Sequence, residues 1–306
     1  MRLVDGRRFE VLGTLLQAQL AISPGQETFF RRRINGESET ELVKLNELAH
    51  HVSKLVDQRV DDYARDYSWL CEEQVNEELN FRRTGQYRLK TFEEAYREVY
   101  GNKPYMTRYM NGLLLTQLWW ANHTAVMSYY RDNFLPNNPN GYSHLEIGPG
   151  HGLFLYFAAT DPRCSSATGW DISEASIALT REALLKLGLE RSPNLELVDL
   201  FKGPIGAFDS IVFSEVLEHM ENPRASLDVL RSLLAPSGRL FINMPINSPA
   251  PDHLFNADSP EQLEEFIKQS GLSIVDRAFF PATNQTLENA RRKKLTISCV
   301  FVATPA

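Results

Sequence analysis

The sequence of 306 residues has only three cysteines, Cys71, Cys164 and Cys299, which lie far apart and form no CxxC pair. Their odd number and wide spacing exclude a disulfide framework and a cysteine-based metal site, and they favour a reducing compartment. There is no apolar run of about 18 residues, the length that a membrane-spanning helix needs. The first residues also lack the apolar core and cleavage site of a signal peptide. We therefore expect a cytoplasmic protein without a membrane partner.

An excess of basic charge is also missing, since the formal net charge is −7 at pH 7. Proteins that bind nucleic acid in general carry a basic face, so the charge makes a nucleic-acid partner improbable. The one basic run, RRKK at 291–294, is typical of a solvated loop. At 43% hydrophobic and 23% charged residues, the composition is that of a globular protein that can bury a sizeable core.

Residues 1–138 have a helical pattern. Ser38 and Glu41 form a capping-box signature before a stripe of leucines and valines, and Gly85 follows a second helical stretch as a plausible C-cap. A third segment from Tyr105 to Phe134 is apolar on most sides, which predicts one continuous helix with several buried faces. The sequence LPNNPNGYS breaks the pattern and marks the predicted boundary of a helical cap or substrate-lid domain.

In residues 139–306 short strands alternate with helices, so this part belongs to the α/β class with a Rossmann-like sheet. Repeated βα units predict a parallel sheet that is covered by helices on both faces. The last two strands follow one another without a long helix between them, which predicts an antiparallel pair at the sheet edge. Ligands of such sheets bind at the carboxyl ends of the strands, near the topological switch point.

The stretch HLEIGPGHGLF (144–154) places glycines at alternate positions between the first strand and the first helix of this half. Gly148, Gly150 and Gly152 leave bare backbone N–H groups at a helix N-terminus, where a ligand can approach closely. Asp171 ends the second strand, 23 residues after Gly148, and can accept hydrogen bonds from ribose hydroxyls. Asp199 follows the third strand, where it could accept a hydrogen bond from an adenine amino group or serve as a turn residue.

Glu146 discriminates between cofactors. Its carboxylate, two residues before the loop, would repel a dinucleotide pyrophosphate but suits a ligand with a cationic amine. S-adenosyl-L-methionine combines ribose, adenine, an amino-acid tail and a cationic sulfonium. The alternative from another class, a nicotinamide-dependent oxidoreductase, is disfavoured by Glu146 and by the missing GxGxxG spacing, since position 153 is Leu. A catalytically silent binding protein is disfavoured because the acidic positions are all present.

Taken in order, the segments LEIGPGHG, GWDIS, VDLF, FDSIVFSEVLEHM, LLAPSGRLFINMP and SPEQLEEFIKQSGLSIVD resemble a class I S-adenosylmethionine-dependent methyltransferase of the ubiquinone-biosynthesis-like superfamily. The resemblance covers roughly residues 140–306 and implies a seven-stranded sheet with a reversed last strand. Pro149, between the first two glycines, departs from the commonest pattern. By position, the resemblance places Glu146, Gly148 and Gly150 at the methionine part, Asp171 at the ribose, Ile172, Asp199 and Leu200 at the adenine, and Ser214 near the methionine amine or the substrate.

Candidates for the chemistry follow the fourth strand in SEVLEHM, where Glu215 and Glu218 are three residues apart and could share one side of a helical turn. His219 comes next, and His253 after the fifth strand would reach the same edge. In one interpretation a histidine is the general base for a hydroxyl acceptor. In a second, the two glutamates and one or both histidines hold Mg²⁺ or another divalent metal, because ExxEH resembles the metal-binding motif of ubiquinone-biosynthesis O-methyltransferases and small-RNA 2′-O-methyltransferases. In a third, Glu218 and His219 only cap and orient the helix.

The helical half carries no motif of its own. It is either a structural cap with a possible homodimer surface, or a lid over the substrate, in which case Tyr105, Tyr109, Trp120 or His123 could line the site. A cap of this size favours a small-molecule acceptor. We therefore predict O-methylation of a small molecule in specialised metabolism. The alternatives are C- or N-methylation and a peptide or carrier-bound substrate.

Overall fold

The computed structural model describes residues 4–5, 8–203 and 206–306. In the first half, the predicted capping box is present, because the Ser38 hydroxyl accepts from the Glu41 N–H and the Glu41 carboxylate accepts from the Ser38 N–H. Gly85 ends its helix with a left-handed φ of 71°. Both predictions are confirmed. The helices of this half are α1 (Glu10–Ile22), α2 (Glu27–Asn35), α3 (Glu39–Val56), α4 (Val60–Thr84), α5 (Phe92–Ala95), α6 (Lys103–Trp119) and α7 (Ala121–Tyr129).

The prediction of one continuous helix from Tyr105 to Phe134 is wrong. The chain is extended at Trp120, with φ −98° and ψ 117°, and this residue separates α6 from α7. The Thr124 hydroxyl donates to the Gln117 carbonyl at 2.7 Å and so satisfies a group that the interrupted helix leaves free. After α7 the chain makes a wider helical turn over Tyr130–Phe134.

The second half forms the predicted Rossmann-like sheet of seven strands in the order β3-β2-β1-β4-β5-β7-β6. The pairs from β3 to β5 are parallel, whereas β7 is antiparallel to both β5 and β6. The reversed last strand and the antiparallel edge pair are therefore confirmed. The strands are β1 (Tyr142–Ile147), β2 (Cys164–Asp171), β3 (Asn194–Leu197), β4 (Phe208–Ser214), β5 (Leu234–Ile246), β6 (Leu272–Pro281) and β7 (Ile297–Pro305).

Helices cover both faces of the sheet, as the βα alternation predicts. Alternate strand residues point to two cores: Val212 and Phe241 pack with α6 and α7 on one face, and Ile211 and Leu240 pack on the other. Because the first core also contains buried residues of α1 and α3, the helical half packs directly on the sheet. The helices of the second half are α8 (Leu153–Thr160), α9 (Glu174–Lys186), α10 (Pro223–Leu233), α11 (Pro260–Lys268) and α12 (Leu287–Lys293).

The topology brings the carboxyl ends of the parallel strands to one edge of the sheet. β1 ends at Ile147 before the glycine loop, β2 at Asp171, β4 at Ser214 and β5 at Ile246. The strand order reverses between β1 and β4, so the loops after these strands flank the switch point. No helix in the described ranges combines the length and the apolar character that a membrane crossing requires.

Candidate active site

The glycine loop between β1 and α8 requires residues without a side chain. Gly148, Gly150 and Gly152 have left-handed φ angles of 67°, 49° and 76°. A Cβ at Gly148 would lie 3.2 Å from Cγ2 of Val216, closer than nearly all real Cβ contacts. A Cβ at Gly150 would lie 3.6 Å from the Met110 methyl group, so α6 passes over the loop. The loop therefore exposes backbone atoms rather than side chains, and α6 of the helical half lies against it.

Glu146 lies beneath this loop in β1 and is buried, with a relative exposure of 3%. Its Oε2 has no hydrogen-bond partner in the described structure. Burial raises the pKa of this carboxyl well above its ordinary value, although the Leu155 N–H partly opposes the shift. A buried carboxyl with a free oxygen is costly unless another group supplies a partner.

Asp171 stands at the carboxyl end of β2 and is fixed by its own loop. Its Oδ1 accepts from the Ser173 N–H at 2.9 Å, and its Oδ2 accepts from the Ser176 hydroxyl at 2.5 Å. Burial raises its pKa, and these hydrogen bonds oppose the shift. The next residue, Ile172, presents an apolar side chain that is 63% exposed. An ionisable oxygen and a bare apolar surface thus stand side by side at the strand end.

Asp199 follows β3 and forms a turn. Its Oδ1 accepts from the Phe201 N–H at 3.0 Å, and its Oδ2 pairs with Nζ of Lys202 at 2.9 Å. Lys202 and this backbone hydrogen bond lower the pKa of Asp199. Leu200 beside it is buried. The structure thus realises the turn interpretation of Asp199, and the adenine contact stays a prediction.

Glu218, His219 and His253 are brought together across two loops. Their ligating atoms all lie within 4.8 Å of one another, and we call these three residues the cation cluster. Oε1 of Glu218 is 3.9 Å from Nε2 of His219 and 3.9 Å from Nε2 of His253. The Glu218 side chain is 0% exposed, and neither carboxylate oxygen has a hydrogen-bond partner within the described residues.

The Nδ1 partners determine which nitrogen of each imidazole faces Glu218. Nδ1 of His253 lies 2.6 Å from the Ser248 carbonyl, and Nδ1 of His219 lies 3.1 Å from the Asp252 carbonyl. A carbonyl only accepts, so each Nδ1 carries the proton and each Nε2 offers a lone pair. Burial lowers the pKa of His253 to about 3, which keeps this ring neutral. The Nε2 atoms of the two imidazoles and the unpartnered Glu218 carboxyl group are donors that fit a divalent metal such as Zn²⁺, Mn²⁺ or Mg²⁺.

Glu215 does not share a helical turn with Glu218, so that prediction is wrong. It lies before the short 3₁₀ turn Leu217–His219 and has a left-handed φ of 53°. Its N–H donates to the Asn243 carbonyl at 2.9 Å, and its Oε1 accepts from the Asn243 side-chain amide at 2.7 Å. Burial raises the pKa of Glu215 to about 7. Glu215 is not one of the three residues of the cation cluster, and its predicted role as a metal ligand or catalytic group stays a prediction.

Ser214 ends β4 beside this site, where its hydroxyl accepts from the Asn243 side-chain amide at 3.0 Å. Its predicted contact with the methionine amine or the substrate stays a prediction. Asn243 itself was missed, although its place in β5 opposite Ser214 follows from aligning parallel strands. Its Oδ1 is buried and unpartnered within the described residues, so it still has one acceptor to offer.

Asp252 is a second residue that the sequence reasoning missed. It is buried, and its Oδ2 lies 3.6 Å from Nδ1 of His219. Tyr109 donates to its Oδ1 at 2.9 Å, and Tyr100 donates to its Oδ2 at 3.1 Å. Although burial opposes ionisation, the histidines and the tyrosine hydroxyls keep the pKa of Asp252 low. Its position directly before His253 was the one available signal in the sequence.

The four predicted substrate residues of the helical half have different partners in the structure. The Tyr109 hydroxyl donates to Asp252, which lies beside His219 of the cation cluster, whereas the Tyr105 hydroxyl donates to Glu73 at 3.0 Å. Nε1 of Trp120 donates to the Tyr67 hydroxyl inside the helical half. Nδ1 of His123 contacts the Thr116 hydroxyl at 2.9 Å, and burial lowers the pKa of His123 to about 3. Their substrate roles stay predictions.

Comparisons with known proteins find similarity to methyltransferases. Residues 145–240 match the family model of a methyltransferase domain. Over 158 residues the chain is 30% identical to the ubiquinone biosynthesis O-methyltransferase of Xanthomonas axonopodis pv. citri (strain 306), which covers 45% of this chain and 65% of that protein. It is 29% identical over 100 residues to the protein of that name from Dechloromonas aromatica (strain RCB), covering 32% of this chain and 42% of that one. The chain thus spans less than two thirds of the length of these curated relatives.

Two solved structures share the fold at low sequence identity. The S-adenosylmethionine-dependent methyltransferase SibL aligns with a TM-score of 0.54 at 14% identity, over 81% of this chain and 74% of that one. The mitomycin 7-O-methyltransferase MmcR aligns with a TM-score of 0.53 at 13% identity, over 88% of this chain and 76% of that one. Together with the reversed last strand, these comparisons show a methyltransferase domain at residues 145–240 and the class I methyltransferase fold.

Proposed function

We propose that the protein transfers the methyl group of S-adenosylmethionine to an oxygen of a small-molecule acceptor, with a divalent cation held by the cation cluster. One observation carries the oxygen-directed part of the proposal. Glu218 is fully buried without a hydrogen bond while the Nε2 atoms of His219 and His253 both lie 3.9 Å from its Oε1. Such a carboxylate needs an external positive partner, and a bound cation is one that also uses both lone pairs.

The residues on the other side of the site fit the cofactor. Three glycines in the left-handed region give a close backbone surface, and Glu146 below it keeps one oxygen unpartnered. Asp171 presents a carboxylate for the ribose hydroxyls, and the exposed Ile172 offers an apolar surface for the adenine. These features favour an adenosyl group with an amino-acid tail over a dinucleotide, because Glu146 would repel a pyrophosphate.

Methyl transfer mainly requires alignment of the acceptor and removal of its proton. A bound divalent cation would orient an acceptor hydroxyl and lower its pKa. The low pKa of His253 makes it a better neutral ligand than a base. The side chain of His219 is 21% exposed, so the cation cluster can be reached from this side. The name of the curated relatives, O-methyltransferases, supports oxygen as the acceptor atom.

The helical half supports a small acceptor. Met110 stands over Gly150, and Tyr109 contacts Asp252, so α6 crosses the site from the cofactor side to the acceptor side. A covered site excludes a bulky polymer and suits a small molecule of a specialised pathway. C- or N-methylation would not require the cation cluster, and a peptide or carrier-bound acceptor would have to pass α6.

Calorimetric titration with S-adenosylhomocysteine and, in parallel, with NADH tests the cofactor. We expect micromolar binding of S-adenosylhomocysteine and none of NADH, and the reverse result would overturn the proposal. A separate titration of EDTA-treated protein with Mn²⁺ tests the cation. Turnover that is unchanged by EDTA and by added Mn²⁺ or Mg²⁺ would reject the cation and favour a base mechanism or a C- or N-acceptor.

A further inference from the structure

The loop that carries His253 is held by tyrosines of the helical half. We call residues 247–258 the acceptor loop. The Tyr87 hydroxyl accepts from the Ser248 N–H at 3.0 Å and donates to Oδ1 of Asn256 at 3.0 Å, so it joins both ends of this loop. Tyr109 and Tyr100 donate to Asp252 in its middle. These contacts connect residues that are more than 140 positions apart in the sequence.

Each of these tyrosines acts on the group that orients a histidine. The Ser248 carbonyl accepts the Nδ1 proton of His253, and Tyr87 holds the same residue through its N–H. The Asp252 carbonyl accepts the Nδ1 proton of His219, whose Nδ1 also lies 3.2 Å from the Tyr100 hydroxyl. The two imidazoles are thus oriented by the same arrangement, in which a tyrosine of the helical half holds the Nδ1 acceptor.

The loop is also fixed to the turn that carries Glu218. The N–H groups of Leu254 and Phe255 both donate to the Glu218 carbonyl, at 2.8 and 2.9 Å. With these bonds in place, the remaining freedom of the site is the rotation and tautomer of the two imidazole rings. Groups that hold the outer nitrogen of a ligating histidine fix both properties.

We propose that Tyr87, Tyr100 and Asp252 are positioning residues that lock His219 and His253 in the Nδ1–H tautomer, so that the helical half assembles the cation cluster. The proposal builds on the cation of the proposed function, but the ring orientation it asserts exists without the metal. It assigns the helical half a role beyond covering the substrate, because the sheet half alone leaves Ser248 and Asp252 without these partners.

The test reads the tautomers directly in the full-length, metal-free protein by long-range ¹⁵N–¹H NMR of labelled histidine, with His219→Gln and His253→Gln for assignment. We expect Nδ1–H for both rings in the wild type. Tyr100→Phe and Asp252→Asn should mix the tautomers of His219, and Tyr87→Phe those of His253. Tyr129→Phe is the matched control, since its hydroxyl bonds Asp276 on the surface. An Nε2–H tautomer in the wild type, or unchanged tautomers in the three variants, would overturn the proposal.

Titration with Mn²⁺ separates this inference from the proposed function. We expect Tyr87→Phe and Tyr100→Phe to weaken Mn²⁺ about 10- to 100-fold, the range for groups that orient a metal ligand, while S-adenosylhomocysteine affinity is unchanged. Wild-type affinity in both variants would reject the positioning role. A wild type that binds no Mn²⁺ but shows the expected tautomers and their loss would reject the cation and support the orientation of the rings.

Discussion

Asp171 and Asp199 on the cofactor side are held in the opposite way from Glu218 on the acceptor side. Asp171 and Asp199 accept hydrogen bonds from backbone N–H groups only two residues further along the chain. Glu218 accepts none within the described residues, although its side chain is fully buried. The Nε2 atoms of His219 and of His253, 35 residues away, lie 3.9 Å from its Oε1.

The difference shows which side is complete by itself. A carboxylate satisfied by its own turn keeps its position whether or not a ligand is bound, so Asp171 and Asp199 are preorganised by local structure, whereas Glu146 keeps an unpartnered oxygen. Burial raises the pKa of Glu218 well above its ordinary value, so its carboxylate form needs a positive partner. The acceptor side is therefore complete only with its partner, and this contrast leads to the following predictions.

The largest effect should follow Glu218→Gln, which breaks the acceptor side alone. We expect the affinity for Mn²⁺ and the turnover to fall by more than about 100-fold, because even groups that only orient a metal ligand contribute about 10- to 100-fold. Calorimetry with S-adenosylhomocysteine should give the wild-type affinity within about threefold, since a substitution of Glu218 leaves the locally fixed cofactor side intact. Retained Mn²⁺ affinity would contradict the role given to Glu218.

Asp171→Ala is the reciprocal change on the cofactor side. The loss of a charged hydrogen bond to ribose costs about 1.5 to 3 kcal/mol, so S-adenosylhomocysteine should bind roughly 10- to 150-fold more weakly. Mn²⁺ affinity, measured on the same preparation, should not change. A loss within about threefold would show that Asp171 does not contact the ribose.

The pH dependence of stability should show that the pKa of Glu215 is raised in the folded protein. Burial raises the pKa of this carboxyl to about 7 from 4.5, so its contribution to folding is complete below pH 4.5 and is lost as the pH rises to about 7. Relative to metal-free wild type, Glu215→Gln should therefore gain about 4 °C in Tm between pH 5 and pH 7.5. The buried histidines are present in both proteins, so their contribution to the pH dependence of Tm cancels in the difference. Parallel Tm curves would mean that Glu215 is ionised in the fold.

Asp199→Ala should give the smallest effect, and together with Asp171→Ala it compares the two carboxylates of the cofactor side. Its oxygens already bind the Phe201 N–H and Lys202, so an adenine amino group adds one further hydrogen bond of about 0.5 to 1.5 kcal/mol. We expect S-adenosylhomocysteine to bind about 3- to 10-fold more weakly, as measured by calorimetry. An unchanged affinity would leave Asp199 as a turn residue only.

Sequence patterns predicted the parts of the molecule in which neighbours in the chain determine the structure. Ser38 with Glu41, Gly85 and the alternate glycines depend on contacts within a few residues, and all adopt the expected geometry. The helix break at Trp120 escaped prediction because no proline or glycine lies between Leu113 and Leu135, so no local signal marks a boundary there. Glu215 was placed on a helical turn because spacing alone does not reveal a left-handed φ.

The sequence by itself determined the α/β class, the glycine loop and the order of acidic strand ends, because strand and turn signals are local and parallel strands align their carboxyl ends. Only the tertiary structure decided that His219 and His253 converge on one oxygen of Glu218, and that Tyr87, Tyr100 and Asp252 orient them. These groups come from segments that are far apart in the chain. Their distances are set by how the loops after β4 and β5 and the helical half pack against one another, which no spacing in the sequence encodes.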